Sequence, residues 1–96
     1  MKRNPKFELE DKIVIYENLT RQEFLDLMNK IKHIRILVCS DGTIYAWDGY
    51  QKTHEEMMRR LDQKDGLALN LGKYQFSPED ILDNILKIAR KFRKRK

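Results

Sequence analysis

Residues 34–61 read IRILVCSDGTIYAWDGYQKTHEEMMRRL, and the folding of this stretch decides the folding of the rest. Ile34 to Cys39 has the composition of a strand, and the unbroken run Ile36-Leu37-Val38 suits burial on both faces. Ser40-Asp41-Gly42-Thr43 follows. An Asp-Gly pair tolerates the positive φ angles of a two-residue type I′ turn, so a hairpin is predicted. The return strand, Thr43 to Trp47, alternates, with Ile44 and Ala46 facing one way and Tyr45 and Trp47 the other. Asp48-Gly49 breaks it. Thr53-His54-Glu55-Glu56 has the spacing of a capping box, and Met57, Met58 and Leu61 then give a short helix its apolar side.

On the N-terminal side, residues 1–6 are charged, contain Pro5 and read as a loose N-terminus. Phe7 to Tyr16 carries Phe7, Leu9 and the β-branched run Ile13-Val14-Ile15, which predicts one strand. Thr20-Arg21-Gln22-Glu23 is a capping-box spacing. Phe24, Leu27, Met28 and Ile31 follow at helical intervals, and the helix should end near Lys32-His33. On the C-terminal side, Asp65-Gly66 closes the second helical unit. Leu67, Leu69 and Leu71 alternate as a strand, with Gly72 permitting a turn or bulge before Tyr74 and Phe76. Ser77-Pro78-Glu79-Asp80 opens a helix with a capping hydroxyl, proline at the first helical position and two acids at the positive end of the dipole. Ile81, Leu82, Ile85, Leu86, Ile88, Ala89 and Phe92 supply its apolar stripe. The order β-α-β-β-α-β-α places residues 1–96 in one small α+β domain, with about four strands covered by helices. There is no repeat, low-complexity tract or linker.

The charged fraction is 36% and the apolar fraction 41%, interleaved at regular spacing, as in a folded chain. No apolar run approaches the roughly 18 residues that span a membrane. Lys2, Arg3 and Lys6 have no apolar segment behind them, so a secretory leader is not expected. The single cysteine, Cys39, has no partner for an internal disulfide, which fits a reducing compartment. A cytoplasmic location is the expectation, in a host cell or a virion if the chain is phage-encoded. The net charge of +5 hides an asymmetry. Residues 1–86 hold 13 basic and all 15 acidic residues, and residues 87–96 hold seven basic residues and no acid.

That end is the first candidate site. Lys87, Arg90, Lys91, Arg93, Lys94, Arg95 and Lys96 on a helix end, residues 90–96, can neutralise phosphates, and Phe92 could stack on a base. The second candidate is the hairpin. If Tyr45 and Trp47 lie on an exposed side they form, with Tyr50, a partner-binding aromatic ledge. His54, at a helix start, would stay neutral. With Asp48 or Glu55 it could form an acid–base pair acting on a phosphodiester. One histidine beside acids is more often structural, so no catalytic residue is favoured. His33, Cys39 and His54 lack metal-ligand spacing, and neither metal nor cofactor is expected.

The segment Ser40-Asp41-Gly42-Thr43-Ile44-Tyr45-Ala46-Trp47-Asp48, followed by Thr53-His54, resembles a recurrent cassette of small domains in bacteriophage and mobile-element proteins, including very large multidomain phage polypeptides. There a DG-x-x-Y-x-W-D hairpin precedes a TH helix start. The resemblance covers roughly 28 of 96 residues. It carries over to Asp41, Gly42, Tyr45, Trp47, Asp48, Thr53 and His54, and implies a phage or mobile-element origin more than a reaction. Size, basic tail and α+β order are also similar to ribosome-dependent ribonuclease toxins. The chain departs from those in element order and lacks a basic cluster beside the His54 face. The expected function is therefore a small non-enzymatic binding protein that contacts nucleic acid or a nucleoprotein through its basic helix. A host-directed inhibitor or virion component would also use a protein partner. The alternatives are a metal-independent nuclease built on His54, and a homodimer pairing through a Leu67–Phe76 edge strand.

Overall fold

The computed structural model of the chain describes residues 6–70 and 78–94. Its elements are β1 (Lys6–Glu8), β2 (Val14–Glu17), α1 (Arg21–Lys30), β3 (Ile34–Cys39), β4 (Ile44–Asp48), α2 (His54–Arg60), β5 (Gly66–Asn70) and α3 (Pro78–Lys94). The α+β class is as expected, but the sheet has five antiparallel strands in the order β1-β2-β4-β3-β5. The extra strand arises because Phe7–Tyr16 is two strands. Leu9-Glu10-Asp11-Lys12 separates Phe7 from the β-branched run and folds into a turn, in which Lys12 adopts φ 65° and its amide donates to the Leu9 carbonyl (2.8 Å). The expected strand beyond Asn70, with Tyr74 and Phe76, and the Ser77 cap lie outside the described residues.

Local chemistry explains the element boundaries. At α1 both arms of the capping box form: Glu23 N–H donates to Thr20 Oγ1 (3.2 Å) and Thr20 N–H to Glu23 Oε1 (2.9 Å). A cap of this kind contributes about 1 kcal/mol. At α2 only one arm forms. Thr53 Oγ1 accepts from Glu56 N–H (3.2 Å), while the Glu56 carboxylate accepts from Arg59 and Arg60 instead. The β3–β4 hairpin differs from the expected two-residue turn. Cys39 N–H donates to the Thr43 carbonyl (2.8 Å) and Gly42 N–H to the Cys39 carbonyl (2.8 Å), leaving a three-residue loop, Ser40-Asp41-Gly42. Gly42 alone takes the left-handed conformation there, at φ 91°. Asp41 avoids it and uses Oδ1 to accept from Thr43 N–H (2.9 Å). This is the longer hairpin type, with glycine at the bulge.

The topology fixes where the helices go. β2 and β3 run parallel with β4 between them, and β4 and β5 run parallel with β3 between them. The two connections, through α1 and α2, therefore run in opposite strand directions yet shift across the sheet in the same sense. Crossovers of one hand, as the right-handed preference demands, must then lie on opposite faces. The packing follows this. Phe24 and Leu27 of α1 and Ile81, Leu82, Ile85 and Ala89 of α3 cover Ile34, Ile36, Val38 and Ala46. Met57 of α2 covers the reverse side, where Ile13, Ile15, Leu37, Cys39, Tyr45 and Trp47 are buried. β3 is thus buried on both faces as expected, with one exception, Arg35. Among the described residues no helix is long and apolar enough to cross a membrane.

Candidate functional site

Two regions gather the chemistry-bearing residues. The first is one end of the sheet, where β3 begins and β4 and β5 finish. Tyr45 and Trp47 do not form an aromatic ledge there. Trp47 is fully buried and Tyr45 nearly so, because α2 covers the face that a single helical layer would have left to water. Trp47 Nε1–H donates to the Lys52 carbonyl (3.4 Å). Burial raises the Tyr45 phenol above its ordinary value. It pushes the Cys39 thiol up to about 12, which leaves a small core side chain with no nucleophilic role at neutral pH. Of the three aromatic residues expected to meet a partner, only Tyr50 is exposed, at 75%.

His54 is held at both nitrogens. Nδ1 accepts from Arg35 NH1 (3.2 Å) and Nε2–H donates to the Leu69 carbonyl (3.1 Å), which sets the neutral tautomer. Its ring meets Trp47 edge-on, with centroids 5.8 Å apart. Burial is the main cause that lowers its pKa from 6.5. The Leu69 carbonyl opposes this and the Arg35 charge adds to it. His54 therefore ties α2 to β3 and β5. Neither Asp48 nor Glu55 bonds to it. Asp48 Oδ1 accepts from Tyr50 N–H (3.1 Å) and shapes the turn, and Glu55 is exposed on α2. Among the described residues no three His, Cys, Asp or Glu side chains converge as metal ligands would.

Two neighbours complete this corner, Arg35, which the sequence did not single out, and His33, weighed there only as a metal ligand. Arg35 is half-buried in a strand whose other five residues are all buried. His33 meets the Tyr50 ring edge-on at 4.2 Å. The available signal was the single charge inside the apolar run IRILVC.

The second region is α3. Its 17 residues make a rod about 25 Å long. Ile81, Leu82, Ile85 and Ala89 face the core, while Lys87, Arg90 and Lys91, at i, i+3 and i+4, are exposed on the other side. The helix continues to Lys94, five residues past the buried Ala89. Four other cations are paired: Arg21 with Asp83, Lys52 with Asp11, and Arg59 and Arg60 with Glu56, Arg60 also meeting Asp11 at 2.7 Å. Among the described residues Lys87, Arg90 and Lys91 meet no carboxylate within ion-pair distance. The side chains of Phe92, Arg93 and Lys94, and the whole of Arg95 and Lys96, lie outside the described residues.

Fold and site together define a small α+β domain with helices on both faces of an antiparallel sheet and a cationic helix end. Comparison with protein-family models, with curated proteins and with solved structures finds no match to this chain.

Proposed function

We propose that this chain is a non-enzymatic binding protein, of the phage or mobile-element kind, that contacts nucleic acid or a nucleoprotein through the solvent face of α3. One observation carries the reading: Lys87, Arg90 and Lys91 stand exposed at i, i+3 and i+4 on one side of α3, without carboxylate partners among the described residues. An unpaired cationic stripe on a rigid rod suits phosphate contact, which gains free energy from counterion release and needs no base-specific groups.

The test is a fluorescence anisotropy titration of labelled RNA and DNA oligonucleotides with the full chain and with Lys87→Gln/Arg90→Gln/Lys91→Gln. These side chains are exposed, so the variant retains its fold. Binding by the parent that weakens at least tenfold in the variant supports the reading. Equal binding by both, or none by the parent at low salt, removes it.

A further inference from the structure

We propose that Tyr50, His33 and Arg35 form a binding site for one nucleotide unit, with the base resting on the Tyr50 ring and a phosphate held by the Arg35 guanidinium. The site stands apart from the α3 stripe and does not depend on it.

The argument begins with Arg35. A half-buried guanidinium without a carboxylate keeps N–H donors that an anion can take. Among the described residues no carboxylate lies within ion-pair distance of Arg35. Asp48, the nearest acid along β4, is turned to the Tyr50 amide. Arg35 is also held in place. A methyl group on Gly49 would lie 2.6 Å from its Cγ and 2.8 Å from its Nε, so its stem runs across the bare Gly49 backbone. NH1 is fixed by His54 Nδ1. An arginine has five N–H donors in a rigid fork, and His54 takes one of them, which leaves a pre-organised set for a phosphate.

The neighbouring aromatic completes the site. Tyr50 follows Gly49 directly and is the most exposed large apolar side chain described. Its backbone is held by the Asp48 carboxylate, and its ring by the edge of His33 at 4.2 Å. The Gly49 amide donates to the His33 carbonyl, which locks the turn to the start of β3. A fixed, exposed ring on the residue after Gly49, and the guanidinium whose stem crosses Gly49, offer the two contacts that a nucleotide needs, one for a flat base and one for an anion. Neither contact reads base identity.

The experiment is an NMR titration of the full chain with adenosine 5′-monophosphate, with adenosine alone and with a short single-stranded oligoadenylate. Saturable shifts of the His33 and Tyr50 rings and of Arg35 Nε–H by the monophosphate support the site. So does weakening by at least about fivefold in Tyr50→Ala, the loss expected for one stacked base. Tyr50→Ala keeps its fold because the ring is exposed, and an unchanged melting midpoint checks this. Tighter binding of the oligomer at the same resonances identifies a strand as the source, and tighter binding of the monophosphate identifies a free nucleotide. Adenosine binding as tightly as its monophosphate, no shift at these three residues, or equal binding by Tyr50→Ala overturns the proposal. Failure of the α3 reading is separate: it appears as an oligonucleotide affinity indifferent to Lys87, Arg90 and Lys91.

Discussion

Replacing His54 with alanine separates a structural histidine from a chemical one. The substitution removes the only bond the ring makes to the Leu69 carbonyl, worth about 1 kcal/mol, and the acceptor for the Arg35 guanidinium, worth about 1.5–3 kcal/mol when one partner is charged. Water reaches a half-buried guanidinium and restores part of the second loss, while the edge contact with Trp47 is also forfeited. The expected cost is about 2–3 kcal/mol. For a chain of this size, that lowers the melting midpoint by roughly 8–24 °C. Urea unfolding followed by far-UV circular dichroism gives the value directly, with an unchanged m-value showing that the unfolded state is the same. The pH dependence has a definite sign. His54 titrates near 6.5 in the unfolded chain and lower in the folded one. The unfolded state therefore binds more protons, and stability present above pH 6.5 is lost as pH falls through the folded value. His54→Ala should lack that loss. A variant as stable as the parent, or one that keeps the same loss below pH 6.5, refutes the assignment of His54 as a tie between α2, β3 and β5.

Three further outcomes follow from the packing. Gly49→Ala places a methyl group 2.6 Å from Arg35 Cγ and 2.7 Å from the His33 carbonyl. It should destabilise the chain by about 1–3 kcal/mol in a thermal melt. Trp47→Ala empties a fully buried site between β4 and α2 and should cost about 3–5 kcal/mol in chemical denaturation, a large share of the stability of a domain this size. Arg60 joins Glu56 on its own helix to Asp11 in the β1–β2 turn, and both carboxylates are held below their ordinary range chiefly by their arginine partners. Asp11→Asn should therefore lower stability at low salt and at neutral pH. The difference should shrink with added salt or as pH falls through the carboxylate range.

The hairpin, both capped helices and the amphipathic α3 were legible because each rests on local chemistry: Asp41-Gly42, Thr20 with Glu23, Thr53, and the spacing from Ile81 to Ala89. The alternation along β4 correctly separated Tyr45 and Trp47 from Ile44 and Ala46. It did not tell which side faces water, because alternation defines two faces without saying what covers either. That depends on β4 and β3 exchanging places between two same-handed crossovers, a long-range fact that sends α2 to the reverse face and buries Trp47. The β1–β2 turn was hidden for a similar reason. Leu9-Glu10-Asp11-Lys12 carries no glycine or proline, and Lys12 takes a positive φ at a position where the residue type gives no warning. Arg35 was passed over because a lone charge in an apolar strand has no motif. Its meaning comes from His54 and Gly49, 19 and 14 positions away.

The claim that the solvent face of α3 binds nucleic acid is tested most directly by the salt dependence of that binding. Each neutralised phosphate contributes about −0.7 for single strands, or −0.9 for duplex DNA, to the slope of log affinity against log salt. Three phosphate contacts through Lys87, Arg90 and Lys91 predict that Lys87→Gln/Arg90→Gln/Lys91→Gln flattens the parent slope by about 2–3. A slope that is the same in parent and variant would contradict it.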